Sequence, residues 1–300
     1  MTTIAVTGGT GFVGKRLIDL ALERGHTVRA LARRPQDQRD GVTWITGALE
    51  SADALPLLLD GADATIHVAG VVNAPTRDSF AAGNIAGTRR MVETALALGP
   101  KRFIHVSSLS AREPDLSHYG WSKRGGEDVV AASALDWTVV RPPAVYGPGD
   151  LEMRDVFRLA RLGLALMPPP GRLSLIHVDD LARLLLILVE RNPGRVILEP
   201  DDGRSWTHDA FARAVGTAVG QRVLTLPLPK GLLSLTASAD KLLRGDKAKL
   251  TQDRVNYLAH PDWAAEPSRR PSGDLWRAEI ATPEGLAATA AWYRANGLLR

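Results

Sequence analysis

Tyr119 and Lys123 stand four residues apart in His118-Tyr119-Gly120-Trp121-Ser122-Lys123, at the head of a helical pattern. Residues at that spacing share one helix face, which sets a phenol beside an ammonium. A free tyrosine titrates near about 10, too high for efficient proton transfer at neutral pH. A neighbouring cation favours the phenolate and lowers that value. Upstream, Val106-Ser107-Ser108 closes a strand-like run, where a hydroxyl could hold a substrate oxygen. Taken singly, Tyr-x-x-x-Lys arises by chance and serines at strand ends are commonly caps. Their order along the chain, behind a particular N-terminal loop, gives them weight.

That loop is Thr7-Gly8-Gly9-Thr10-Gly11-Phe12-Val13-Gly14. It lies between a β-branched run and a helical pattern, at the start of an alternation of strands and helices. Gly8, Gly11 and Gly14 have the spacing of a dinucleotide loop. The first allows the tight turn, the second lets a pyrophosphate approach the backbone, and the third packs helix against strand. Free N–H groups and the dipole at the helix N-terminus then attract the phosphates. Thr10, Phe12 and Val13 belong to the same expected cradle.

About twenty residues beyond such a loop, a chain selecting NAD places Asp or Glu for the ribose 2′-hydroxyl. This chain reads Leu31-Ala32-Arg33-Arg34-Pro35 there. A carboxylate would repel a 2′-phosphate, whereas a guanidinium pairs with it bidentately. Arg33 and Arg34 therefore point to NADP ahead of NAD.

Strand-like runs occur at Ile4–Thr7, Thr27–Leu31, Thr43–Thr46, Ala64–Val68, Phe103–Val106 and Trp137–Val140. Val13, Leu17, Leu20 and Ala21 recur at helical spacing, and Gly25 closes that helix. Strands alternating with helices predict an α/β fold, a Rossmann-type doubly wound parallel sheet. After Pro142 the chain becomes rich in Pro and Gly. A strand-like Leu173–Val178, an apolar helix from Asp180 to Glu190 and a strand at Arg195–Leu198 follow. The expected division is a dinucleotide-binding domain over residues 1–198, with a substrate-side excursion at 151–174. Residues 199–300 form a smaller C-terminal substrate-side lobe over one end of the sheet.

Composition excludes several alternatives. The 300 residues are 45% hydrophobic and 23% charged, an ordinary globular balance with enough chain for a large core. With no cysteine, disulfides, thiolate nucleophiles and cysteine-ligated metals are ruled out, and no metal site is expected. A net charge of +4 with acids and bases interleaved argues against nucleic acid as a partner. The apolar stretch Leu184–Val189 is too short to span a bilayer. A cytoplasmic monomer or homodimer acting on an unidentified small molecule is the expectation.

Together the motifs resemble the extended or atypical branch of the short-chain dehydrogenase/reductase superfamily, whose members are epimerase- and reductase-like. The likeness covers most of the chain. Besides the loop and the Tyr119–Lys123 pair it includes His67-Val68-Ala69-Gly70, Asn84-Ile85-Ala86-Gly87-Thr88, Arg141-Pro142-Pro143-Ala144-Val145-Tyr146-Gly147-Pro148-Gly149 and Ile176-His177-Val178-Asp179-Asp180. The resemblance implies Tyr119 as acid/base, with Lys123 binding the nicotinamide ribose and lowering the tyrosine pKa. It implies Ser108, or alternatively Ser107, orienting the substrate oxygen. Val68, Ala69, Gly70 and Leu49 would line the adenosine side. Val106, Ser107 and the stretch from Pro142 to Val145 would meet the nicotinamide side. Asn84 would order the helix beside the site, while His177, Asp179 and Asp180 would cap the next helix.

Two departures narrow the reading. Gly47-Ala48-Leu49 stands where family members often carry Gly-Asp-Leu, so an adenine contact is missing. Only ten residues separate Ser108 from Tyr119, where sugar-nucleotide epimerases have a longer loop. The short loop resembles atypical members, including relatives of a respiratory-complex accessory subunit. The leading expectation is an NADP-dependent oxidoreductase exchanging hydride with a carbonyl or secondary alcohol. A nucleotide-sugar epimerase or dehydratase, and a non-catalytic cofactor-binding accessory protein, are the alternatives.

Cofactor choice can be read directly. NADPH should bind at least about tenfold tighter than NADH, about 1.4 kcal/mol. The double variant Arg33→Ala/Arg34→Ala should lose that preference in fluorescence titrations. Equal affinities in the wild type would return the arginines to ordinary surface residues.

Overall fold

The computed structural model describes residues 1–245 and 251–299, with only the backbone described at 239, 241, 243 and 244. In chain order the elements begin β1 (Thr3–Thr7), α1 (Phe12–Glu23), β2 (Thr27–Ala32), β3 (Val42–Thr46), α2 (Ala54–Leu59), β4 (Ala64–His67) and α3 (Arg77–Phe80). A π-helical turn, Ala81–Ala86, leads into α4 (Gly87–Ala97) and β5 (Arg102–Val106). A 3₁₀ turn at Leu109–Arg112, α5 (His118–Ala131) and β6 (Asp136–Val140) complete this stretch. Next come β7 (Ala144–Tyr146), α6 (Arg154–Arg161), β8 (Leu164–Met167), β9 (Arg172–Leu173), β10 (Leu175–His177), α7 (Val178–Glu190) and β11 (Val196–Leu198). The last part holds β12 (Trp206–Thr207), α8 (His208–Val219), β13 (Leu224–Pro227), α9 (Lys230–Arg244), α10 (Gln252–Leu258), β14 (Asp262–Trp263) and α11 (Thr282–Ala295).

The chain divides into two compact units. The first comprises Met1–Pro142, Leu181–Glu199 and Pro271–Trp276. It holds one seven-stranded sheet in the order β11-β6-β5-β4-β1-β2-β3, every neighbouring pair parallel. Strand order reverses at β1, which pairs with β2 on one side and β4 on the other. In open α/β sheets ligands bind beyond the carboxyl ends of strands at such a switch point. Ile4, Ala5 and Val6 of β1 have no exposure at all, as expected of a central parallel strand covered on both faces. Leu55, Leu58 and Leu59 of α2 pack with Met91 and Ala95 of α4 against Phe103 and Trp137.

The second unit comprises Pro143–Asp180, Pro200–Arg270 and Arg277–Arg300. Its core gathers Tyr146, Phe157, Leu175, Val215, Leu286 and Tyr293. Three small sheets lie here: β10-β7, β12-β9-β14 and β13-β8. The continuous strand expected over Leu173–Val178 is instead interrupted. Ser174 is buried, its hydroxyl donating to Asp201 at 2.7 Å and accepting from the Ala265 N–H at 3.0 Å. Those bonds separate β9 from β10, and Val178 already belongs to α7. Among the described residues no helix is long and apolar enough to cross a membrane.

One close approach ties β1 to α1. A Cβ at Gly14 would fall 2.1 Å from the Gly8 carbonyl oxygen. Gly14→Ala should therefore cost about 1–3 kcal/mol, the usual penalty of overpacking, and lower the melting temperature by several degrees. Gly231→Ala, whose added methyl would meet nothing within 4 Å, serves as the control and should leave it unchanged. Matching thermal denaturation curves for the two variants would contradict this packing.

Candidate active site

The loop after β1 is built by sterics at one end and by free donors at the other. Gly8 adopts the left-handed conformation (φ +73°), and a Cβ there would sit 2.8 Å from the Ala69 backbone nitrogen. Thr7 Oγ1 accepts from the Ala69 N–H at 3.1 Å and bonds His67 Nδ1 at 2.7 Å, which fixes the loop to the end of β4. The Gly11 N–H donates to the Gly8 carbonyl at 3.0 Å. Gly11 precedes α1 without any side-chain cap, and the first turn carries no acidic residue. The leading N–H groups of a helix have no intrahelical acceptor. Thr10 and Gly11 are exposed, with Phe12 and Val13 half-buried behind them. A Cβ on Gly11 would meet only the Gly8 oxygen, at 3.3 Å. Two glycines are thus closed inward and one opens outward, a cradle that fits a pyrophosphate.

Arg33 and Arg34 follow β2 directly and are both exposed. Neither pairs with a carboxylate among the described residues. Leu49 packs instead against the start of α4, its Cδ1 lying 2.7 Å from where a Gly87 Cβ would be. Val68 and Ala69 line the other side of Gly8. Gly70 comes next, and a Cβ there would lie 3.1 Å from Asn84 Oδ1 and 3.5 Å from Lys123 Nζ. The phosphate loop, the end of β4 and Lys123 therefore form one continuous wall.

Helix α5 sets the phenol and ammonium. Ser117 caps it, its hydroxyl accepting from the Gly120 N–H at 3.0 Å, so Tyr119 occupies the first turn. Lys123 is buried and its Nζ donates to the Val106 carbonyl at 2.8 Å. Burial pushes this ammonium down to about 8, while the Glu127 carboxylate one turn on acts in the opposite direction. Burial pushes the Tyr119 phenol above its ordinary value, and its hydrogen bond with the Ser108 side chain pulls the other way. Lys123 acts on His67 and His105: burial chiefly, and Lys123 second, depress both, His67 to about 3. Both rings are neutral at physiological pH.

Asn84 pins this arrangement from the π-helical turn. Its Oδ1 accepts from the Val71 N–H at 2.6 Å, and its Nδ2 donates to the Val71 carbonyl at 2.9 Å and to Ser122 Oγ at 2.8 Å. Ser122 in turn donates to the Tyr119 carbonyl at 2.8 Å. Pro142, at the end of β6, accepts from the Leu109 N–H at 3.1 Å. Val145 lies on β7 in the second unit.

A buried ionic group beneath these residues had no part in the sequence expectations. Ser107 is buried, and its hydroxyl donates to Glu127 Oε1 at 2.5 Å. Arg141 reaches Glu127 through Nε at 2.8 Å and Nη2 at 2.6 Å, and Glu199 through Nη1 at 3.3 Å. Arg112 completes the set with 3.3 Å to Glu199 Oε2. The Ser107 hydroxyl is thereby committed to the interior, while Ser108 stays partly exposed beside Tyr119. The signal available in the sequence was Glu127, one further turn along the Tyr119–Lys123 face.

In the second unit, the His177 Nδ1 accepts from the Asp179 N–H at 3.2 Å, a cap on the first turn of α7. Asp180, in the same first turn, accepts from the Glu279 and Ile280 N–H groups, each at 3.0 Å. It fastens a distant segment within its own unit.

Comparison with known proteins agrees with this architecture. Residues 4–198 match the model of the NAD dependent epimerase/dehydratase family. A ceramide reductase of Caulobacter vibrioides is 37% identical over 308 residues, covering 99% of this chain and 96% of that protein. The human epimerase family protein SDR39U1 is 28% identical over 81% of this chain and 90% of its own length. Among solved structures, SDR39U1 (isoform 2) with NADPH superposes with a TM-score of 0.76 at 21% identity, covering 96% of this chain and 99% of that one. MoeE5 in complex with UDP-glucose and NAD gives 0.77 at 22% identity, covering 99% of both chains. At those identities the two structures share the fold. The parallel sheet, the glycine cradle and the reductases and epimerases among its relatives place this chain in the NAD dependent epimerase/dehydratase family, as a nicotinamide-dependent enzyme of the extended short-chain dehydrogenase/reductase type.

Proposed function

We propose that this enzyme uses NADPH to reduce a ketone on a long-chain lipid, with Tyr119 delivering the proton. The observation that carries the chemistry is Lys123, buried on the same face of α5 as Tyr119 with its ammonium donating to the Val106 carbonyl at 2.8 Å. The lipid substrate class rests on the 37% identity to ceramide reductase over nearly the whole of both chains. The choice of NADP rests on Arg33 and Arg34, exposed and unpaired with any carboxylate of the described residues.

In this reading Gly8, Thr10, Gly11, Phe12 and Val13 hold the pyrophosphate, and the two arginines take the 2′-phosphate. Leu49, Val68, Ala69 and Gly70 face the adenosine, while Val106, Ser107, Lys123, Pro142 and Val145 serve the nicotinamide end. The cofactor supplies the hydride that the carbonyl carbon receives. Ser108 donates a hydrogen bond to the carbonyl oxygen, and Tyr119 gives that oxygen its proton. The phenolate left behind is favoured by the Lys123 ammonium on the same face.

Tyr119→Phe keeps the ring but removes the transferable hydrogen. Turnover of a ketone substrate should fall by roughly 10² to 10⁴, with NADPH affinity and melting temperature nearly unchanged. Lys123→Ala should weaken both NADPH binding and turnover. For the wild type, kcat/KM for reduction should decline above about pH 8, where the free enzyme's Lys123 loses its charge. The assay follows NADPH oxidation across long-chain ketones, short ketones and UDP-sugars. Near-wild-type turnover by Tyr119→Phe would remove the tyrosine from the mechanism, and activity confined to UDP-sugars would overturn the substrate class.

A further inference from the structure

Thr7, His67, Thr88 and Asn84 are all buried, at 3% exposure or less. The His67 ring meets Thr7 Oγ1 at 2.7 Å from Nδ1 and Thr88 Oγ1 at 3.1 Å from Nε2. Burial, aided by Lys123, pushes this imidazole down to about 3, so it carries a single hydrogen at neutral pH. Which nitrogen holds that hydrogen follows from the two threonines. A hydroxyl has one hydrogen to donate. Thr88 donates its own to the Asn84 carbonyl at 2.7 Å, so its oxygen can only accept from the ring. The hydrogen is therefore on Nε2, and Nδ1 accepts. Its donor is the Thr7 hydroxyl, whose oxygen in turn accepts from the Ala69 N–H at 3.1 Å.

Four donors thus run in one direction: Ala69 N–H to Thr7, Thr7 to His67, His67 to Thr88, and Thr88 to Asn84. Bonds aligned in this way polarise one another. One end is the backbone against which Gly8 turns, where a Cβ would lie 2.8 Å from the Ala69 nitrogen. The other is the Asn84 carbonyl, 2.8 Å from where a Gly126 Cβ would be, on the helix that carries Tyr119 and Lys123.

We propose that His67, held as the Nε2–H tautomer, is a positioning residue at both ends of the site. Its Nδ1 holds the phosphate loop, and its Nε2–H, through Thr88, holds the turn that carries Asn84 and abuts α5. The effect on turnover rests on the proposed reduction; the tautomer and the effect on cofactor affinity do not.

The test has two arms on the full-length protein. In the first, ¹⁵N NMR of histidine-labelled protein, with His67 assigned through His67→Gln, should show a protonated Nε2 and a bare Nδ1 at neutral pH. In the second, Thr7→Val and Thr88→Val keep the side-chain shape and each remove one hydroxyl from the chain. Thr7→Val should weaken NADPH binding about three- to tenfold, the worth of one hydrogen bond, and leave kcat at saturating NADPH nearly unchanged. Thr88→Val should do the reverse, lowering kcat at least about tenfold, since small displacements of reacting groups are costly, with NADPH affinity nearly unchanged. Thr7→Ser and Thr88→Ser, which restore the hydroxyls, should recover both values. A protonated Nδ1 in the wild type would overturn the proposal. So would NADPH affinity and kcat falling together in both valine variants, the pattern of a residue that serves the core alone. Should no ketone be reduced, the proposed function fails, while the tautomer and the NADPH titrations still decide this inference.

Discussion

Two glutamates with almost no access to water, bridged by one buried arginine, hold the carboxyl edge of the sheet together. Glu127 comes from α5, Arg141 from the end of β6, Glu199 from the residue after β11, and Ser107 and Arg112 from the segment following β5. Burial pulls the Arg141 guanidinium down, and its bonds to Glu127 and Glu199 more than offset this. Two carboxylates meet two guanidiniums, so the group is neutral as a whole, which is the condition under which buried charge is tolerated. Removing one member would strand the others, at a cost of about 3–5 kcal/mol. Such a group contributes little net stability over an apolar replacement, but it admits few alternative arrangements.

The site inherits that restriction through α5. Glu127 is one turn beyond Lys123 and two beyond Tyr119, so fixing Glu127 against Arg141 fixes the rotation of the helix about its axis. Lys123 is then held to the Val106 carbonyl at the end of β5. The other end of α5 is held independently by Ser122 and Asn84, and Asn84 binds Val71 through both its donor and its acceptor. The π-helical turn Ala81–Ala86 carries Asn84, and such wide turns recur where a helix must present a group at a functional site. Tyr119 is therefore placed by two anchors on the same helix, an ionic one below and an amide one beside it.

The sequence made the sheet and the phosphate loop legible, because buried parallel strands and a glycine-spaced turn leave local patterns. Each of the first six strands was read within two residues at either end. The interior polar groups were not legible. Glu127, Arg141 and Glu199 are written like any surface residues, and only the closing of α5 against β6 and β11 shows them facing inward. Spacing likewise reports the ammonium near the phenol but not the burial that raises it. The break at Ser174 escaped notice because its partners, Asp201 and Ala265, lie far along the chain.

Raising the phenol has a consequence for direction under the proposed chemistry. A tyrosine above its ordinary pKa is protonated at neutral pH, which is the form a ketone needs when hydride arrives at its carbon. Alcohol oxidation would require the phenolate, and burial penalises that anion. An ammonium partly relieves the penalty, yet the same burial draws Lys123 down to about 8, so its charge is held with little margin. The hydrogen bond with the Ser108 side chain also favours the phenolate in the free enzyme. Under the proposed chemistry, a substrate oxygen that takes over the Ser108 hydroxyl would remove that contact and leave the phenol as the proton donor.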